Sequence, residues 1–163
     1  MWHPIRFRVL APALAFTALH CTAALAVPWS SADEQSVRTL FLTQVAAENA
    51  HDIATLDHVL ADVSGDRPSP VSFVARAYRF WGKEAVMQHF HEAFAGTWHL
   101  EPDVSQLRVV PLGDDTAQLY VPTQVTLGAA GKPATTATFL INQFAVRTPQ
   151  GWKFTAILPV PAQ

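Results

Sequence analysis

The chain has one cysteine in 163 residues, Cys21, and it falls in the N-terminal segment. A domain that starts after it has no disulfide and no thiol nucleophile, so its core alone must hold it. From Thr116 to Gln163 there is no Asp, Glu or His. That stretch cannot supply a carboxylate or imidazole for acid–base chemistry. Basic clusters are missing too. Lys and Arg number 11 against 13 Asp and Glu, a formal charge of −2, which argues against nucleic acid and against anionic membrane surfaces as partners. No internal repeat or low-complexity tract is present.

What is present begins with an export leader. Arg6 and Arg8 form a short basic segment, Val9 to Leu25 is almost wholly apolar, and Ala24-Leu25-Ala26 reads as a small-x-small cleavage site. Pro12 and the modest length of the apolar run separate it from a membrane anchor. Residues 1–26 are therefore expected to be a cleavable signal peptide, 27–35 a flexible linker and 36–163 a single domain. Cleavage leaves about 137 residues, enough for one core, with no integral membrane segment. The two leader arginines leave with it, which takes the formal charge to −4. The expected destination is the periplasm or the outside.

Helices come first in the domain. Ser36 can cap a helix whose apolar positions Val37, Leu40, Phe41 and Val45 recur at helical spacing, and Asp52 can cap a shorter one carrying Ile53, Leu56 and Leu60. Val71 to Trp81 is extended or irregular. Gly82 starts a third helix with Val86, Phe90, Ala93 and Phe94 as its stripe. Strands follow near 104–112, 117–127, 136–146 and 152–158, joined by short glycine-bearing connections that make an antiparallel meander. Thr148-Pro149-Gln150-Gly151 reads as the turn of a closing hairpin. Helices first and strands later give an α+β domain with one curved antiparallel sheet around the helices.

Three short motifs carry a family resemblance: Glu48-Asn49-Ala50-His51-Asp52 between the first helices, Phe80-Trp81-Gly82-Lys83-Glu84-Ala85 opening the third, and Gly151-Trp152-Lys153-Phe154 in the final strand. With the element order, they make the chain resemble the nuclear transport factor two-like superfamily, especially its SnoaL-like branch with the SgcJ/EcaC proteins. The resemblance implies a cone in which a bent sheet wraps the helices and leaves a pocket open at one end. It also implies a homodimer. Many such relatives carry a histidine in the last strand, where this chain runs Ala156-Ile157-Leu158-Pro159.

The acid–base candidates lie on the helices. Asp57 borders the Leu56/Leu60 stripe and reads either as a pocket-mouth carboxylate or as a flanking surface one. His89 and His91 flank the third stripe about 200° apart, so at most one faces inward and the i,i+4 pair of a zinc helix is absent. No metal and no cofactor is expected. In the sheet, Asn142 and Gln143 are adjacent, so alternation buries one amide among apolar side chains. Asn142 is the pocket candidate, because Phe144, Trp152 and Phe154 read as its core-side neighbours. Trp81, Trp98 and Trp152 are expected in the core or lining a flat apolar pocket, and the direction of Tyr120 stays open because Pro122 can introduce a bulge. The ligand-facing set is thus Trp81, His89, Tyr120, Asn142, Phe144 and Trp152, with Asp57 and His89 as catalytic candidates. Three functions follow: a domain holding a small, largely apolar molecule; an isomerase, dehydratase or cyclase working from the helices; or a dimeric interaction module with a Thr-rich face around Thr123, Thr126, Thr136 and Thr138.

Overall fold

Ser30 and Asp33 set the start of the first helix, α1 (Ser31–Ala50). The Ser30 hydroxyl and backbone N–H both donate to Asp33 Oδ2, at 2.7 and 2.9 Å, which satisfies a donor left free at the helix start. The helix therefore opens five residues ahead of Ser36, whose hydroxyl bonds back to Ala32 O instead, and the expected linker 27–35 is partly helical. The computed structural model describes residues 27–62, 65, 67–76 and 78–162, and the expected signal peptide lies outside them.

α1 stops at His51, which takes the left-handed conformation at φ 54°. Asp52 then caps α2 (Ile53–Val59) by accepting from Thr55 N at 3.0 Å. The stretch after it forms a hairpin, β1 (Ser72–Ala75) and β2 (Tyr78–Trp81), and Gly82 opens α3 (Lys83–Ala93). Next come β3 (Thr97–Pro102), a 3-10 turn (Val104–Gln106) and β4 (Arg108–Pro111). Three long strands follow, β5 (Thr116–Gly128), β6 (Thr135–Thr148) and β7 (Gly151–Pro161). The sheet runs β2-β1-β7-β6-β5-β3, with β4 sharing the outer edge of β5. Every pairing is antiparallel except β1 with β7.

The α+β class and the β5-β6-β7 meander match the expectation. β3 does not, since its stretch reads as a loop edge. Its edge away from β5 is held by one side chain: Asn49 donates to Leu100 O at 2.9 Å and accepts from Leu100 N at 2.8 Å, as a neighbouring strand would. The strand expected from 104 starts only at Arg108, because the 3-10 turn carries the chain between two short partners of β5.

The closing hairpin pairs Thr148 with Gly151 across Pro149-Gln150, and Gly151 takes φ 99°, which favours glycine. Further along, Ala145 faces Phe154 while Phe144 faces Ala156, so Thr155 is an extra residue in β7. This bulge bends the sheet and keeps Trp152, Phe154 and Ile157 all on the concave side, where they are buried. Phe41 of α1, Phe90 of α3 and Phe154 of β7 are almost fully enclosed there, each contributing about 1.5–3 kcal/mol by its burial.

The hairpin also clamps the helix start. Asp33 Oδ1 accepts from Arg147 Nη1 at 2.7 Å and from Trp152 Nε1 at 3.1 Å. The Arg147 guanidinium lies 5.0 Å over the Trp152 ring, and Trp29 packs edge-on against the same ring. Arg147, with help from Ser30, holds the Asp33 carboxyl well below the usual carboxylate range.

Candidate functional site: a cone with one buried carboxyl

Along α1 the buried positions Val37, Phe41, Gln44 and Glu48 follow one another at four-, three- and four-residue steps. The helix thus presents two polar side chains on its apolar stripe, facing the sheet. Between them and the concave face lies a cavity of about 180 Å³. Its walls are mostly apolar, with Phe73, Trp98, Leu100, Phe139, Ile141 and Ile157 prominent among them. The buried Gln44, Glu48 and Gln143 mark its inner part, and the exposed Arg76 and Tyr78 its mouth.

Glu48 is 3% exposed and bonded through both oxygens: Gln44 Nε2 donates to Oε1 at 2.7 Å, and Trp98 Nε1 to Oε2 at 2.8 Å. Burial pushes its carboxyl up to about 7, against the pull of these two donors. No cation pairs with it among the described residues. Among the described residues, three buried side-chain polar atoms lack a hydrogen-bond partner: Gln44 Oε1, Gln143 Oε1 and His89 Nε2. All three side chains line this cavity. His89 is stacked 4.4 Å from Phe80 and lies 4.9 Å from Phe73, and burial holds its imidazole below its ordinary value while Glu92 pulls the other way.

Of the candidate residues, His89 reaches the cavity and its neighbour His91 is exposed. The others sit elsewhere. Asn142 is on the convex face, where its Oδ1 accepts from Gln118 and its Nδ2 donates to Leu140 O. The amide on the cavity is Gln143, 1% exposed. The hairpin register explains the exchange: Phe154 faces Ala145, so the odd-numbered residues of β6 share its concave side and Phe144 points away with Asn142. Tyr120 also faces outward, opposite Asn142. Pro122 causes no bulge there, since pairing with β6 runs regularly from Thr116 to Leu127. Trp152 points inward but reaches Asp33 beside the N-terminus of α1, away from the cavity. Trp81 is 70% exposed on the edge strand β2, because Phe80 takes the inward position. Asp57 lies outside the cone, 3.2 Å from Lys83. Thr123 is buried, so the threonine face is limited to its three companions.

Sequence reasoning missed Gln44 and Glu48 as site residues. Their signal was the interruption of a helical apolar stripe by two adjacent-turn polar residues. The motif that carried the resemblance has structural work at four positions: Glu48 meets Trp98, Asn49 holds β3, His51 ends one helix and Asp52 starts the next.

No family model matches the chain, and no curated protein matches it. Solved structures do. A provisionally assigned aromatic ring hydroxylase from Novosphingobium aromaticivorans superposes with a TM-score of 0.70 at 17% identity, covering 83% of this chain and 92% of that one. A provisionally assigned dehydratase of the NTF2-like family from Streptomyces avermitilis gives 0.66 at 19% identity, covering 80% and 97%. An uncharacterised protein with a cystatin-like fold from Caulobacter vibrioides gives 0.67 at 11% identity, covering 81% and 91%. The chain shares its fold with these NTF2-like and cystatin-like structures: among the described residues, an open sheet around three α-helices.

Proposed function

We propose that the chain is an exported domain that binds a small, largely apolar molecule inside the cone. One observation carries this reading: the cavity has apolar walls and a few buried polar atoms without partners, the usual make-up of a small-molecule site. Its volume of about 180 Å³ suits a molecule built on one ring, since apolar cavities of about 150 Å³ hold benzene. The leader at residues 1–26 supports export. A homodimer fits the convex face, where Tyr120, Leu140, Phe144 and Leu158 are only half-buried. Native mass spectrometry of protein purified from a periplasm tests these points together. The expected spectrum shows cleavage before Val27, twice the chain mass, and an added small molecule lost on denaturation; an unloaded monomer with its leader overturns the reading.

A second reading, an acid–base enzyme of the isomerase, dehydratase or cyclase kind, draws support from Glu48. A carboxyl with a value near 7 on the wall of an apolar cavity is poised to take or give a proton near neutral pH. The dehydratase assignment of one fold neighbour points the same way by analogy. Here the acid–base duty moves from Asp57 to Glu48, with His89 the other ionisable group facing the same space. Turnover abolished by Glu48→Gln, with the bound molecule retained, would establish it.

A further inference from the structure

A buried carboxyl and two unpartnered amide oxygens set the polarity of the inner cavity. Glu48 is a carboxyl whose two oxygens both accept, and Gln44 has committed its Nε2 to Glu48, which leaves Oε1 unpartnered. Gln143 Oε1 and His89 Nε2 are unpartnered as well, the imidazole nitrogen accepting or donating according to its tautomer. Among the described residues, no lysine or arginine lines the cavity apart from the exposed Arg76 at the mouth. An anionic head at the inner end would therefore meet the Glu48 carboxyl and two amide oxygens, with no buried cation among the described residues to offset its charge. A donor-bearing head would satisfy them. The aromatic rings of Phe73, Phe139 and Trp98 add walls that suit a cation, whose charge is attracted to ring faces.

We propose that the occupant of the cone is a primary amine with a compact, single-ring apolar body, entering ammonium end first toward Glu48, Gln44 Oε1 and Gln143 Oε1. This deepens the cone-binding reading and rests on it. The ammonium offers three N–H donors and a positive charge, so it would complete the buried carboxylate that the fold otherwise leaves without a cation. The body takes the place of water against the aliphatic and aromatic wall. The elevated carboxyl of Glu48 agrees with this, because a buried group without a counter-charge is the one a cationic ligand would pull back down.

The experiment compares four probes that share one phenyl ring and differ in the head by calorimetric titration of the purified mature chain at about pH 8, where Glu48 is ionised: toluene, benzyl alcohol, benzylamine and benzoate. Benzylamine is expected to bind at least about tenfold more tightly than toluene, with benzyl alcohol between them and benzoate weakest. Glu48→Gln, which keeps the shape and removes the charge, is expected to lose about tenfold for benzylamine and leave toluene unchanged. If toluene and benzoate bind as tightly as benzylamine, the cone is a binding site but the amine assignment is wrong. If none of the four binds, the cone-binding reading falls with it. The probe series uses the wild-type chain, so the test stands even if Glu48→Gln does not fold.

Discussion

Trp98 donates its indole N–H to Glu48 Oε2 at 2.8 Å, joining a strand to a helix 50 residues away in sequence. The bond explains why a carboxyl can sit in an apolar cone at all. Burial favours the protonated form, while Trp98 and Gln44 stabilise the charged one, and the balance falls near neutral pH.

Trp98→Phe keeps most of the ring and removes the donor. The Glu48 carboxyl should then titrate above about 7, readable from its side-chain carbon by NMR. Losing a hydrogen bond to a charged group should also cost about 1.5–3 kcal/mol at pH above that value. An unchanged or lowered titration midpoint would show that the bond does not stabilise the carboxylate.

Glu48→Gln should change how stability depends on pH. The folded value of about 7 lies above the ordinary 4.5, so between those two the folded state holds more protons than the unfolded one. Stability from this group is therefore full below about 4.5 and lost as pH rises to about 7, a change of roughly 3 kcal/mol. His89 acts oppositely: its folded value is lowered, so it favours folding as pH rises toward its ordinary value. The difference between wild type and Glu48→Gln in denaturant melts across pH 5 to 8 cancels His89 and isolates Glu48. A flat difference would rule out a raised carboxyl.

Gln143→Leu removes a buried amide oxygen that lacks a partner and replaces it with a side chain of similar size. Stability should rise by about 1 kcal/mol, since an unsatisfied buried group is costly. Benzylamine binding should weaken in the same variant. A fall in melting temperature would mean that the amide makes a bond the fold needs.

Arg147→Ala and Asp33→Asn should each lower the melting temperature by loosening the hairpin from α1, with the loss for Asp33→Asn full above the ordinary aspartate value of 3.8 and shrinking below it. A depressed carboxyl contributes stability above that pH and loses it as pH falls further. The double variant should cost less than the sum of the two, because both remove one ion pair. Strict additivity in thermal melts would show that Asp33 and Arg147 act separately.

The class of the fold was legible because its signals are local: Ser and Asp caps, apolar spacing on the helices, and the Pro149-Gln150-Gly151 turn. The Asn142/Gln143 face was misassigned to Asn142, although counting register back from that turn to Ala145 opposite Phe154 yields Gln143. What could not be read locally was β3, whose outer edge is completed by the Asn49 side chain rather than by a neighbouring strand. Trp81 misled for a related reason. An edge strand of four residues buries one face weakly, and composition does not say whether Phe80 or Trp81 takes it. Glu48 was hidden by the habit of treating a charged residue as solvated, which its position on the Val37/Phe41 stripe contradicts.

β7 is the last strand in sequence, yet it stands in the interior of the sheet, between β6 and the parallel β1. A nascent chain that ends before Gly151 has therefore made both halves of the sheet without the piece that joins them. Until β7 emerges, the β1–β2 hairpin has no strand to dock on, and Asp33 lacks the Trp152 indole that bonds its Oδ1 beside Arg147. The closure is long-range, since it joins β7 to a strand about 80 residues earlier. Closure of the sheet therefore waits on the eleven residues of one interior strand.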